Sequence, residues 1–230
     1  MTQQQPVLHS NTREDDLNAF TDALLRWTDV KARGEPTYKR GHETRAQLVK
    51  AARRAFIRVG YIDCSVEDIL QDAKISRGTF YTHFVSKKAI FGAITDEHIR
   101  DRINQTGVSD VGDAEYRDRV RVTITRFLDN YTDTYDFSEV IDQVASYDVE
   151  FRKVRLVIRD IFAHRIARGI RSQQDKNNVA SDLDAYSYAL MILSVLTNMA
   201  QSEIAWRGRK PDQKMVDEML DFWCNGIGLK

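Results

Sequence analysis

The stretch VEDILQDAKISRGTFYTHFVSKKAIF, residues 66–91, decides the fold of this 230-residue chain. Its pattern predicts three short helices that begin after Ser65, Ser76 and Ser86. A serine in front of a helix can accept a hydrogen bond from a backbone N–H group that has no partner within the helix. Asp68, three residues after Ser65, completes the pattern of a capping box. We therefore expect two short helices joined by a tight turn, with a third helix directly behind them.

The middle helix of the three has a face that suits contact with DNA. Phe80 and Phe84 are one turn apart, so they point inward together. The opposite face and its flanks carry small or hydroxyl-bearing residues, namely Gly78, Thr79, Tyr81 and Thr82. Arg77, in the first turn, is long enough to contact a guanine edge through two hydrogen bonds. Two short helices of which the second faces outward are typical of the helix-turn-helix motif, whose second helix enters the major groove.

Two lysines, Lys87 and Lys88, open the third helix, where the helix dipole disfavours positive charge. A phosphate docked at this helix end would make both lysines favourable, because the ammonium and backbone N–H groups would then act together. The alternative is a pair of solvated surface lysines. Next to the predicted recognition helix, we favour the phosphate interpretation.

The run of residues 45–94 closely resembles the DNA-binding domain of TetR-type transcriptional regulators. The sequence SRGTFYTHF at residues 76–84, followed by Ser86 and Lys87, carries most of the resemblance. The resemblance implies an all-α homodimer that binds a near-palindromic operator in double-stranded DNA and leaves it when a small, largely apolar effector binds. One departure is Lys74, which stands where the family usually has glycine: either the lysine adopts a left-handed backbone conformation at some cost, or the turn differs slightly from that of the family.

The resemblance also assigns the DNA contacts to positions of this sequence. The expected base-edge contacts are Arg77, Gly78, Thr79 and Thr82. The expected phosphate or neighbouring backbone contacts are Thr44, Arg45, Ser65, Ser76, Tyr81, His83 and Lys87. Phe56, Ile69, Phe80 and Phe84 are assigned to the core of the motif.

The charge distribution supports a DNA-binding module. The whole chain has 34 Lys and Arg residues against 34 Asp and Glu residues. Residues 38–95 hold 11 of the cations and 5 of the anions, a net charge of +6, which leaves −6 for the rest of the chain. A basic module on an acidic body is expected of a DNA-binding protein with a second domain of other function.

Other classes of function find little support in the sequence. There is no Ser/His/Asp or Cys/His set, no phosphate-cradling glycine loop and no metal-ligand spacing, so we predict no enzyme and no cofactor. Cys64 and Cys224 are far apart and predicted to be reduced in a cytoplasmic protein. The most apolar stretch, residues 186–200, is interrupted by polar side chains and is shorter than the ~20 residues that span a bilayer, so no membrane association is expected.

The N-terminal residues 1–40 are predicted to form an extension of the DNA-binding domain, which would itself cover residues 41–95. Leu17, Phe20, Leu24 and Trp27 recur at helical spacing, which predicts an amphipathic helix over residues 13–30 followed by a basic linker. We favour packing of this helix against the body of its own or the partner subunit. Direct contact with DNA or with another protein is the alternative.

Residues 96–230 are predicted to form a helical domain that binds the effector and dimerises. Its helices are expected at residues 116–135, 138–146, 148–173, 181–207 and 212–225. The predicted effector pocket is lined by Phe127, Tyr131, Val154, Ile158, Phe162, Met191, Val195 and Met199. The last two helices are predicted to form a four-helix dimer interface through Leu193, Leu196, Ala200, Met215, Met219, Phe222 and Trp223. A DNA-binding dimer without effector, controlled by a protein partner or acting as an activator, is the alternative.

Overall fold

The computed structural model describes residues 13–28, 39–105 and 114–230, and within them the chain is helical with no strands. The helices are α1 Arg13–Thr28, α2 Lys39–Asp63, α3 Val66–Ala73, α4 Arg77–His83, α5 Lys87–Gln105, α6 Tyr116–Tyr147, α7 Val149–Asp175, α8 Ala185–Ala200 and α9 Gln213–Gly226. A π-helical turn, Gln201–Trp206, continues α8. The predicted all-α fold is confirmed. No helix in the described ranges is long and apolar enough to cross a membrane.

The chain divides into two compact units. Unit 1 contains the described residues up to Arg100 together with Asp136–Ile158, and unit 2 contains Asp101–Tyr135 and Arg159–Lys230. Helices α5, α6 and α7 therefore each contribute residues to both units. Unit 1 includes the corner between α6 and α7, which the sequence-based division had placed in the C-terminal domain.

The predicted helix caps of the central stretch are present. The Ser65 hydroxyl accepts from the Asp68 N–H at 3.1 Å, and the Asp68 carboxylate accepts from the Ser65 N–H at 2.8 Å. Ser76 caps α4 by accepting from the Thr79 N–H at 3.2 Å. Lys74 ends α3 in the left-handed conformation, with φ 54° and ψ 42°. The turn between α3 and α4 therefore keeps the geometry that glycine would favour, at a conformational cost of about 1–2 kcal/mol.

The structure differs from the predicted helix boundaries in α6 and in α8. The predicted helices 116–135 and 138–146 are one continuous α6, because Phe137, Val140, Ile141 and Val144 continue a buried apolar stripe without interruption. Helix α8 begins at Ala185 and not at residue 181, since Asp184 caps it by accepting from the Tyr186 N–H. Helix α2 runs to Asp63 with a break at Gly60.

The break at Gly60 is fixed by a residue of the α6–α7 corner. Gly60 has φ 79° and ψ 164°, values that side chains other than hydrogen rarely allow. A Cβ atom there would lie 3.1 Å from the side-chain amide of Gln143. The next residue, Tyr61, donates its N–H to Gln143 Oε1 at 3.3 Å. The C-terminal end of α2 is thus held against α6 within unit 1.

The core of unit 2 is formed by α6, α7, α8 and α9. Trp223 lies in this core and donates its indole N–H to the Tyr116 hydroxyl at 3.3 Å. Burial raises the pKa of Tyr116 to about 12, against the smaller opposing effect of this hydrogen bond. Gly169 on α7 allows the Tyr116 ring to approach, since a Cβ atom there would meet the ring at 3.3 Å. The N-terminal half of α6 is therefore packed tightly against both α7 and α9.

Candidate nucleic-acid interface

Helix α4 is anchored from below by aromatic side chains and exposed above. Phe80 is fully buried, and its ring lies 6.1 Å from that of Phe84. Residues 77, 78, 81 and 82 are exposed and residue 79 is half-buried, as the sequence predicted for the outward face. Because the helix has only seven residues, its position depends on this aromatic anchor more than on its own hydrogen bonds.

Arg77 is available for base contact. Its guanidinium forms an ion pair with Glu67 of α3 and lies 5.6 Å from the centroid of the Tyr81 ring. Both charged side chains are more than half exposed, so this ion pair is worth no more than about 1 kcal/mol. A guanine edge could replace Glu67 as the partner at small cost, while the Tyr81 ring would keep the side chain extended along the helix.

Gly78 leaves an open approach to the backbone of α4. Among the described residues, a Cβ atom at this position would meet only the Ser76 hydroxyl, 4.0 Å away, so no contact within them requires glycine here. One turn later, Thr82 donates its hydroxyl to the Gly78 carbonyl at 3.0 Å. The hydroxyls of Ser76 and Thr79 lie 2.9 Å apart. The outward face of α4 therefore has no bulky side chain at its centre, and it is lined with hydroxyl groups that can contact a base edge or a phosphate.

The residues predicted for the phosphate contacts at the edges of α4 are partly held by neighbours. The Arg45 guanidinium on α2 lies 4.9 Å above the Phe84 ring. Burial, assisted by the Arg45 charge, lowers the pKa of His83. Thr44, one residue before Arg45, is half-buried on the same helix. These three residues remain compatible with a phosphate close to the C-terminal end of α4, which would also stabilise a charged His83.

Lys87 has a different role from the one predicted. Its ammonium donates to the carbonyls of Tyr61, Ile62 and Cys64 at 2.8, 3.2 and 2.7 Å and lies 4.5 Å from the Tyr61 ring centroid. An ammonium has three N–H donors, so these carbonyls use all of them. Burial lowers the pKa of Lys87, as expected for an ammonium that is partly removed from water at the C-terminal end of α2. We therefore remove Lys87 from the phosphate contacts and describe it as a cap on the C-terminal end of α2.

Ser65 also serves chiefly as a cap. Both its N–H and its hydroxyl are bonded to the Asp68 carboxylate, and these hydrogen bonds lower the pKa of Asp68. A phosphate at Ser65 would have to approach this carboxylate. Among the predicted contacts, the structure brings together on α4 and its cap the exposed residues Ser76, Arg77, Gly78, Tyr81 and Thr82 and the half-buried Thr79.

Comparison with known proteins places this motif in a family. Residues 48–94 match the family described as “Bacterial regulatory proteins, tetR family”. These residues form a TetR-type DNA-binding domain. The match covers α3 and α4 completely, most of α2 and the first part of α5. A chain with this domain is a DNA-binding transcriptional regulator and not an enzyme.

Relatives and solved structures agree with the assignment. The uncharacterized HTH-type transcriptional regulator YdgC of Bacillus subtilis (strain 168) is 25% identical over 203 residues, which are 82% of this chain and 94% of that protein. The HTH-type transcriptional regulator TtgR of Pseudomonas putida is 38% identical over 60 residues, 26% of this chain and 29% of that protein. The structure of Salmonella enterica GusR superimposes with a TM-score of 0.70 at 15% identity, covering 84% of this chain and 99% of that chain. At this identity the superposition shows a shared fold.

The predicted effector-pocket residues are divided between the two units. Phe127 and Tyr131 lie together on α6, with ring centroids 5.9 Å apart, and belong to unit 2. Phe162, Val195 and Met199 are half-buried in the same unit. Val154 and Ile158 are buried in unit 1. Met191 does not line the interior, because 51% of it is exposed on the surface of α8.

Most residues predicted for the dimer interface are in the core of their own subunit. Five of them are buried, namely Leu196, Ala200, Met215, Met219 and Trp223. Helix α9 thus turns one broad apolar face, which includes Met215, Met219 and Trp223, to the core of unit 2. Leu193 is half-buried, and Phe222 alone of the predicted set is exposed, at 45%.

Two functional candidates, Gln143 and Asp148, were missed by sequence reasoning. Both lie at the α6–α7 corner of unit 1, where Gln143 contacts the end of α2 and Asp148 contacts Trp27 of α1. Lys88, which was expected to face a phosphate, lies over the Trp27 ring. Their partners lie up to 121 residues away in sequence, so no local pattern could identify them.

Proposed function

We propose that this TetR-type regulator is a homodimeric repressor that acts in the cytoplasm, binds a near-palindromic operator and leaves it when a small, largely apolar effector binds. The observation that carries the proposal is the exposed face of α4, which presents Arg77, open backbone at Gly78 and the Thr82 hydroxyl above a buried aromatic anchor. Relatives with the same domain include the repressors DhaR and NemR, and also the activator FasR.

The proposed DNA contacts divide into two groups. Arg77, Gly78, Thr79 and Thr82 read base edges in the major groove, where a bidentate arginine–guanine contact gives about 1–3 kcal/mol of discrimination. Thr44, Arg45, Ser76, Tyr81 and His83 contact phosphates and set the position of the helix on the duplex.

The proposed dimer surface uses the outward sides of α8 and α9. Phe222 on α9 and Met191 on α8 are large apolar side chains with about half of their area exposed. Apolar side chains of this size on neighbouring helices are characteristic of subunit contacts. A two-fold axis through this surface would relate two copies of α4 and match the symmetry of a near-palindromic operator.

The proposed effector site lies in unit 2, between the aromatic side chains of α6 and Phe162 of α7. Here α6 and α7 hold the C-terminal end of α5: Arg165 donates to the Ile103 carbonyl at 2.9 Å, and Asn130 donates to Gln105. An apolar ligand that separates α6 from α7 would disturb these bonds and shift the end of α5. Because α5 continues into unit 1, such a shift offers a route to the DNA-binding helices.

Operator binding is tested with fragments that the purified protein retains from its own genomic DNA. Arg77→Ala should weaken binding to a retained fragment by about 1–3 kcal/mol and relax the preference at one base pair of each half-site. Lys50→Ala, which removes an exposed cation from α2, is the control and should keep the base preference. Retention without sequence preference, or unchanged preference in Arg77→Ala, would refute α4 as the recognition helix.

Effector release is tested separately with the same fragment and a panel of lipophilic compounds. Linkage requires that any compound that weakens DNA binding also bind the DNA complex more weakly, by the same factor. A compound with equal affinity for free and DNA-bound protein is not an effector under this mechanism. If no apolar compound acts, the alternative without a small-molecule effector is favoured.

A further inference from the structure

Trp27, near the C-terminal end of α1, joins three parts of unit 1. Its indole N–H donates to Asp148 Oδ2 at 2.9 Å, at the α6–α7 corner. Its ring centroid is 4.6 Å from that of Phe151 on α7 and 5.9 Å from that of Phe91 on α5. Only 3% of Trp27 is exposed. A single side chain of the N-terminal helix thus contacts both the start of α5 and the corner that supports it.

The two lysines at the start of α5 complete this arrangement. Lys87 caps the C-terminal end of α2 through its three carbonyl contacts. Lys88, the next residue, places its ammonium 4.6 Å from the centroid of the Trp27 ring. Burial would raise the pKa of Asp148, but the N–H groups of Phe151 and Trp27 and the charge of Lys88 together hold it below its usual range. The first turn of α5 is therefore fixed on one side to α2 and on the other to α1 and the α6–α7 corner.

Helix α1 also runs closely along α5. Gly92 permits the approach, because a Cβ atom there would lie 2.6 Å from Thr28 Cγ2. Two turns further along α5, Arg100 donates to the Thr21 hydroxyl at 2.6 Å. The two contacts are seven residues apart on α1 and eight apart on α5, in opposite order, so the helices lie antiparallel over about 11 Å. Phe20 and Leu24 of α1 are buried along this line.

We propose that Trp27 is a positioning residue for operator binding. Helix α4 is followed after only three residues by α5, so the placement of α5 determines where α4 lies in unit 1. By holding the first turn of α5 against the α6–α7 corner, Trp27 keeps the recognition helix in the orientation that fits the operator. This inference rests on the proposed operator binding, and it assigns α1 a role in DNA binding without contact to DNA.

The test compares full-length wild type with Trp27→Ala and Trp27→Phe. Leu25→Ala is the matched control, because Leu25 is on the same helix and 39% exposed. The probes are the duplex that the wild-type protein retains from a random-sequence pool and a scrambled duplex of the same length. Binding is measured at a temperature at which circular dichroism shows every variant to be folded.

Trp27→Ala should weaken binding to the selected duplex by about fivefold or more, which is in the usual range for coupling between separate sites. Binding to the scrambled duplex should stay within about twofold, because non-specific affinity depends on charge and not on the orientation of α4. Trp27→Phe keeps a ring against Phe91 and Phe151 but has no donor for Asp148, so its loss should be intermediate. Leu25→Ala should bind both duplexes like wild type.

A second variant keeps the test decisive if Trp27→Ala does not fold. Gly92→Ala forces α1 away at Thr28 while leaving the Trp27 side chain intact, and it should show the same selective loss. Selected-duplex binding as tight as wild type in folded Trp27→Phe and Gly92→Ala would overturn the proposal, as would equal losses on both duplexes. If the wild-type protein itself did not distinguish the two duplexes, the failure would lie with the proposed function.

Discussion

Replacing Lys87 by methionine distinguishes between two roles for this residue, a phosphate contact and a helix cap. Resemblance to the family assigns Lys87 to a phosphate, whereas the structure gives its ammonium to the carbonyls of Tyr61, Ile62 and Cys64. Methionine keeps the length and the apolar stem but cannot donate a hydrogen bond. If Lys87 is a cap, the loss appears in the free energy of unfolding; if it is a phosphate contact, the loss appears in the salt dependence of DNA binding.

The size of the expected loss follows from the three contacts. One hydrogen bond to a charged group contributes about 1.5–3 kcal/mol, but the three carbonyls share one ammonium whose burial itself has a cost. Water can replace the ammonium at Ile62, where the contact is exposed. We therefore expect Lys87→Met to lower the free energy of unfolding by about 2–3 kcal/mol. For a chain of this length, that corresponds to a melting temperature lower by about 4–12 °C.

The assay pairs thermal unfolding with DNA binding at several salt concentrations. Lys50→Met is the control, since Lys50 is an exposed lysine of α2 in the same unit. If Lys87 is a cap, Lys87→Met should have a clearly lower melting temperature than Lys50→Met. Its plot of log DNA affinity against log salt concentration should keep the wild-type slope. A phosphate contact would instead reduce that slope by about 0.9 for each protomer and leave the melting temperature unchanged. The second pattern would refute the reasoning from the carbonyl contacts.

Four further outcomes are expected. Gly78→Ala should raise the free energy of unfolding by about 0.5–1 kcal/mol, because alanine favours a helix and its Cβ atom would meet no close neighbour among the described residues. The same change should weaken operator binding, because the added methyl group would obstruct the close approach of DNA to the backbone of α4. Tighter or unchanged operator binding would count against that approach. The lowered pKa of His83 should make the free energy of unfolding fall as pH drops below about 6.5, because the folded state binds the proton less readily than the unfolded chain. A phosphate next to His83 should have the opposite effect on operator affinity, which should rise from pH ~8 to pH ~6 as the imidazole becomes charged. His83→Gln should remove both effects. The lowered pKa of Asp148 contributes to the free energy of unfolding fully above pH ~3.9, and this contribution is lost as pH falls through the pKa of Asp148 in the folded protein. Asp148→Asn should therefore make the free energy of unfolding less dependent on pH in the acid range. Phe222→Glu should yield monomers in sedimentation at micromolar concentration, whereas dimers like wild type would place the subunit contact elsewhere.

The local features of the DNA-binding helices could be predicted from the sequence because their causes are local. Ser65, Asp68 and Ser76 act within three residues of themselves, and Phe80 and Phe84 meet across one turn. The identity of the outward face of α4 follows from the same short spacing. These are the parts of the fold and of the candidate site that the structure reproduces.

The remaining features depend on partners that are distant in sequence. Two helices, 116–135 and 138–146, were predicted where the structure has one, because the buried stripe through Phe137 continues α6 across the expected break. Lys87 was assigned from its position in a helix, and its carbonyl partners lie 23–26 residues away. An apolar face on α9 indicates burial without telling which surface covers it, so Met215 and Trp223 were assigned to a partner subunit although their own core holds them.

The most direct test of a dimeric operator-binding protein is the sequence that it selects from a random pool of duplex DNA. The account predicts two inverted half-sites whose centres are one helical turn, ~34 Å, apart or a multiple of it. It also predicts that Arg77→Ala loses the preference at one base pair in each half-site. A selected pool with no recurrent motif, or with a single asymmetric site that Arg77→Ala selects equally well, would contradict the account.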